Sequence, residues 1–190
     1  QENPTLGISA KRAQYELRIG AKADSREAAE AMVAMVEATL HERLGEHILG
    51  DERLDQAVTR LLAERGQTLA LHEGAAFAPI YRALSVNAAT LAMLRGVVIH
   101  PVDVPADEQA VMSLARSGAV SVRGQWRSDI GLALQPASAP GADGFLMVGV
   151  ALAHDGGVEE WSRRFDAGSD DIWDFAGTLA LDALREYLAR

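Results

Sequence analysis

The chain has 190 residues, 48% of them hydrophobic and 24% charged, with a formal net charge of −9 and no cysteine. That length suits one large domain or a domain with a small companion, and the acidic balance argues against a phosphate-backbone binder, which gathers lysine and arginine on one face. Without cysteine there are no disulfides, thiolate metal sites or cysteine nucleophiles, and no apolar run reaches the roughly 20 residues of a membrane span.

The absence of cysteine and of a signal-peptide pattern fits a cytoplasmic chain. The opening on Gln1 suggests a piece of a longer protein. The only lysines are Lys11 and Lys22, all other basic residues being arginine. Beyond Lys22, therefore, no lysine can act as general base, Schiff base or ammonium clamp.

Residues 1–50 read as a small α+β unit. Tyr15, Leu17 and Ile19 alternate with Glu16, Arg18 and Gly20, the period of a half-buried strand. Asp24 and Ser25 offer a helix N-cap, and Ala28, Met32, Met35, Val36, Leu40 and Leu44 follow at helical spacing. Gly45 offers the C-cap. Residues 47–49 read as a second short strand, giving strand–helix–strand.

Residues 51–190 read as a larger α/β unit. Asp51 opens a helix carrying Leu54, Val58, Leu61 and Leu62, closed by Gly66. Residues 67–71 read as a strand, 79–84 and 88–94 as short helices, and 96–100 as the next strand. Pro101 and Pro105 punctuate a linker, and Asp107 starts a helix through Ala115 whose end Gly118 and Gly124 blur. Residues 129–134 and 145–153 read as buried strands. Gly156 and Gly157 turn into residues 158–165, where Trp161, Arg163 and Phe165 share one face. Ser169 caps a final helix bearing Ile172, Phe175, Leu179, Ala183, Leu184 and Tyr187. The alternation predicts a layered α/β fold whose mixed or largely parallel sheet is covered on both faces. Ligands in such folds sit beyond the carboxyl ends of the strands.

Two glycine- and alanine-rich segments fall at that edge, residues 69–79 (LALHEGAAFAP) and 130–140 (IGLALQPASAP). Both are poor in reactive groups. The first offers the Glu73 carboxylate and no hydroxyl; the second offers the Gln135 amide and Ser138, flanked by prolines. A lone carboxylate after a strand is more simply a cap or turn acceptor than a general base. His100 can titrate near neutral pH, but without a neighbouring nucleophile it reads as a polar strand-end residue. His72, Glu73 and His100 would converge on a metal only if the loop bends, because strand neighbours point to opposite faces. Ser138 has no evident base partner. Trp126, Trp161 and Trp173 read as core or interface anchors, and Asp170 with Asp171 as first-turn charges on the last helix. The candidate pocket is Glu73, Gly74, Phe77, His100, Gln135 and Ser138, of which Glu73, His100 and Ser138 retain some catalytic chemistry. No metal or cofactor is implied.

From about residue 4 to residue 190 the chain resembles the C-terminal two-thirds of the CinA, or competence/damage-inducible, family. The stretches that carry this are RLGEHILGD (43–51), LLAERGQTLAL (61–71), GVVI (96–99), DIGLAL (129–134), residues 148–152, Arg164 with Phe165, and LALDALREYL (179–188). The resemblance implies a KH-like unit at 1–50 and a nicotinamide mononucleotide amidase-like domain at 51–190. It also implies a homo-oligomer, and a molybdopterin-binding-like domain ahead of these units in the full-length protein. The family's catalytic loop reads Glu-Ser-x-Thr-Gly-Gly. Here Glu73 keeps the acid, Gly74 stands for the nucleophilic serine, Ala76 for the threonine, and Phe77 and Ala78 for the glycines. Phe77 is expected to fill the space those glycines leave open. His100 stands for a tyrosine and no lysine follows it. The Thr-Gly-x-Ala-Gly-Pro turn becomes residues 135–140, and two arginines become Ser169 and Trp173.

The resemblance thus implies a degenerate, non-hydrolytic domain that binds, regulates or oligomerises, because glycine cannot form an acyl-enzyme. One alternative is an amidohydrolase of a pyridine nucleotide or related amide, acting through Glu73 or His100. Nucleic-acid binding through the KH-like unit is a second alternative. It lacks support, because residues 1–50 hold no Gly-x-x-Gly loop with basic residues.

Overall fold

A computed structural model describes residues 3–11 and 13–190. It divides into two compact units, residues 1–52 and 53–190.

The first unit is a hairpin and a helix. Strands β1 (Thr5–Lys11) and β2 (Gln14–Gly20) pair antiparallel, with Ile8 opposite Leu17 and Ser9 opposite Glu16. Helix α1 (Arg26–Leu44) starts at Ser25, whose hydroxyl accepts the Ala28 amide at 3.1 Å, and ends at Gly45 with φ of +50°. The strand expected at 47–49 is absent: Gly45–His47 form a single 3-10 turn, and β2 pairs with the upstream segment instead. Closing a short turn costs less chain entropy than returning across a 19-residue helix. No described residue of this unit is buried.

The second unit is built on a five-stranded mixed sheet of order β4-β3-β5-β6-β7. Its elements are α2 (Leu54–Arg65), β3 (Leu69–Glu73), α3 (Pro79–Leu84), α4 (Ala88–Met93), β4 (Leu94–Ile99), α5 (Glu108–Trp126), β5 (Ile130–Pro136), β6 (Phe145–His154), β7 (Gly157–Asp166) and α6 (Ile172–Ala189). Strands β4, β3 and β5 are mutually parallel, and β6 and β7 continue the sheet antiparallel. Residues 69–73 pair with 130–134 in register, so both sequence-flagged segments end at the same edge.

Helix α5 packs on one face of the sheet, and α6, with α2 and α3 against it, on the other. The α5 face is made of small residues: Ala133, Ala151 and Ala153 meet Ala115 and Ala119. A Cβ on Gly131 would stand 2.1 Å from the Ala119 carbonyl oxygen, so only glycine permits this approach. The helix expected to blur at Gly118 and Gly124 runs through both to Trp126, because Gly118 is needed beside His72. Asp107 caps its start, accepting the Ala110 amide at 2.8 Å. Ser169 does not cap the last helix, which begins at Ile172 behind Asp171; the Ser169 hydroxyl accepts the Asp171 amide in the preceding turn. No helix among the described residues is long and apolar enough to cross a membrane.

Candidate functional site

Strand β3 runs two residues beyond the expected 67–71, which places His72 and Glu73 on the strand itself. Alternation along the strand then sends them to opposite faces. His72 faces α5, where a Cβ on Gly118 would touch its ring. Glu73 faces α3. With His72 and Glu73 on opposite faces, these two cannot converge with His100 around one metal, and among the described residues no such cluster forms.

Glu73 is fully buried, and its two carboxylate oxygens accept the amides of Ile80 at 3.0 Å and Tyr81 at 2.7 Å. The side chain thus occupies the first turn of α3, whose Pro79 brings no donor and whose preceding Ala78 sits in left-handed backbone at φ of +43°. Burial pushes the carboxyl up to about 7, against the opposing pull of the two amides and of Arg82. Both oxygens are committed to backbone.

Gly74 continues the ladder, donating its amide to the Leu134 carbonyl at 2.8 Å. A Cβ at this position would lie 2.3 Å from Gln135 Oε1 and 2.5 Å from Gln135 Cδ. The Gln135 side chain is itself buried, donates from Nε2 to the Pro136 carbonyl at 2.9 Å, and leaves Oε1 without a hydrogen-bond partner. Gln135 therefore fills the space in which a side chain on residue 74 would stand.

The expectation that Phe77 fills this space is overturned. Phe77 is 56% exposed and stacks on Trp173, with ring centroids 5.3 Å apart. Gln135 reaches the gap because it projects from the neighbouring strand toward Gly74, whereas the turn at residues 75–78 carries Phe77 outward. Ser138 is a staple: its hydroxyl donates to the Val102 carbonyl at 3.0 Å and accepts the Val104 amide at 2.7 Å. Its amide also donates to the Val104 carbonyl. His100 donates its amide to the Glu73 carbonyl while its side chain is exposed. Burial, and then the charge of His100, hold the His72 imidazole below its ordinary value.

Trp126 lies over Gly96, where any Cβ would meet the indole ring, as an anchor should. An open cavity of about 440 Å³ lies at Glu108, Gly141–Asp143, Phe145, Met147 and Arg164, and none of the six candidate residues lines it. Sequence reasoning missed the partners that occupy Glu73 and Ser138, because both are backbone groups and carry no side-chain signal.

Residues 1–50 match the family described as the damage-inducible protein CinA KH domain. A CinA-like protein of Gloeobacter violaceus is 32% identical over 204 aligned residues, covering 96% of this chain and 48% of that protein. The chain belongs to the CinA family. A second CinA-like protein, from Kosmotoga olearia, is 43% identical over 75 residues, 38% of this chain and 18% of its own length. The CinA-family chain thus spans about half the length of the curated relatives that match it throughout. Among solved structures, the competence damage-inducible protein A (ComA) of Klebsiella pneumoniae aligns with a TM-score of 0.55 at 25% identity, covering 72% of this chain and 96% of that one. The competence or damage-inducible protein of Enterobacter asburiae gives 0.55 at 20% identity, over 73% and 99%. Both share the mixed-sheet fold.

Proposed function

We propose that residues 51–190 form an amidase-like domain of the CinA type that does not hydrolyse amides and serves as a binding or regulatory module, with residues 1–50 as its KH-like companion. The observation that carries this reading is the interlock of Gly74 with Gln135: the place of a nucleophile's side chain is taken by a buried amide. The other polar groups of the loops are spent on structure, Glu73 on the start of α3 and Ser138 on the 102–104 segment. Purified chain is expected to release neither ammonia nor nicotinate mononucleotide from nicotinamide mononucleotide. Turnover that disappears in Glu73→Gln would overturn the proposal.

A hydrolytic reading has one observation in its favour, the carboxyl of Glu73 poised at about 7, where a general base works best. It requires the carboxylate to leave two backbone amides and reach water. On that reading kcat/KM rises with pH through about 7, as the Glu73 carboxyl ionises. The family resemblance also brings the proposal of a homo-oligomer, which light scattering on the whole chain tests, and the absence of cysteine that of a cytoplasmic location.

A further inference from the structure

Three of the chain's four phenylalanines and one of its three tryptophans gather where β7 hands over to α6. Phe77 stacks on Trp173 at 5.3 Å, and Phe165 stacks on Phe175 at 6.2 Å. Trp173 and Phe175 are two residues apart on one helix, so they point roughly 200° apart and flank the arc on which Asp174 stands. Asp170 and Asp171 occupy the turn just before the helix. The rings are not sealed away: Phe77 is 56% and Phe175 40% exposed.

The three carboxylates make no ion pair among the described residues, whereas Asp143, Asp155, Asp182, Glu159 and Glu160 all do. The cations of the flanking elements are Arg82 on α3 and Arg163 and Arg164 on β7; none of them pairs with these carboxylates, and Arg164 pairs with Asp143 instead. A helix N-terminus supplies about half an elementary positive charge, which three carboxylates at the start of α6 more than offset. Exposed ring faces beside unmatched carboxylates attract a guanidinium through both cation–π and ionic terms.

We propose that this aromatic and acidic face at the start of α6 docks an arginine-bearing basic segment of a partner protein. The proposal rests on reading the domain as a binding module. Charge complementarity selects the occupant: an acidic or phosphorylated segment would be repelled, and a purely apolar one would leave the carboxylates buried without partners. Arginine suits the site better than lysine, because its planar group stacks on a ring while donating to carboxylates.

The test is a titration of the whole chain with a tryptophan-free peptide of alternating glycine and arginine at low ionic strength, followed by tryptophan fluorescence and calorimetry. Saturable one-to-one binding is expected, with the lysine counterpart weaker. Phe77→Ala, which leaves net charge unaltered, should weaken binding about tenfold, and Asp170→Asn with Asp174→Asn by a similar factor. Glu37→Gln, on the exposed surface of the first unit, should leave it unchanged. Equal binding by wild type and Phe77→Ala would overturn the proposal, reducing the effect to bulk charge attraction. So would no saturable binding, or a dimer in the absence of peptide that Phe77→Ala dissociates, since a second copy would then own the face. Nicotinamide mononucleotide turnover measured on the same samples separates the outcomes: turnover with no binding ends both readings, and no turnover with no binding ends this one alone.

Discussion

At the scale of single residues, Glu73 is a carboxyl whose environment works against its charge. Its folded value of about 7 lies above the ordinary 4.5, so the folded protein holds this proton more tightly than the unfolded chain does. The stabilisation is therefore complete below about 4.5 and is lost as pH rises through 7, to a total on the order of 3 kcal/mol. Urea unfolding between pH 5 and 8 should show this decline in wild type, and Glu73→Gln should flatten it. Gly74→Ser tests the neighbouring interlock: the added Cβ meets the Gln135 amide and should cost about 1–3 kcal/mol. Gly74→Ser combined with Gln135→Ala should recover part of that loss, which a double-mutant cycle reads as coupling. The identity of these residues was legible in the sequence, and so was Glu73 as a cap. What Gln135 does was not legible, since it depends on two parallel strands lying in register, 61 residues apart, and no local pattern encodes that.

At the scale of elements, the helices were legible because their apolar spacing and caps are local: Ser25, Gly45, Gly66 and Asp107 each stand at a helix end. Strand β1 shows the opposite case. Leu6, Ile8 and Ala10 do alternate with Gly7, Ser9 and Lys11, but Gly7 and the small side chains weaken the signal. Helix α5 runs through Gly118 because tertiary packing overrides its poor helix propensity. That packing makes a prediction. Gly131→Ala places a methyl against the α5 backbone, which cannot rotate away as a side chain can, and should cost about 3 kcal/mol or more. Thermal unfolding measures it; a loss below about 1 kcal/mol would mean α5 can withdraw from the sheet at little cost. Ser138→Ala should cost about 1–2 kcal/mol through the unpaired Val104 amide and should speed proteolysis between residues 101 and 106.

At the scale of the whole molecule, the two units differ in what holds them together. Residues 53–190 enclose a continuous apolar core, with Val58, Leu62, Leu71, Leu132, Leu134, Val150 and Leu184 at no exposure. Residues 3–50 bury no described residue, and Ile8, Tyr15 and Met35 are each at least 66% exposed. A two-stranded hairpin beside one helix with no core is marginal by itself. A fragment of residues 53–190 should melt cooperatively, and one of residues 1–52 should show no cooperative transition by circular dichroism. Composition alone does not separate α1 from α2 and α5, because apolar residues are as plentiful in it; they are spread around α1 and gathered on one side of the helices that pack on the sheet.

The interlock of Gly74 and Gln135 also bears on which sequences this site can accept. With Gln135 in place, a side chain on residue 74 clashes with its amide, and trimming Gln135 alone opens a void beside a bare glycine. Either single step lowers stability, so exchanging this pair for another takes two coordinated changes. The combination acts as a ratchet: packing alone resists substitution at both positions, whatever the pocket does.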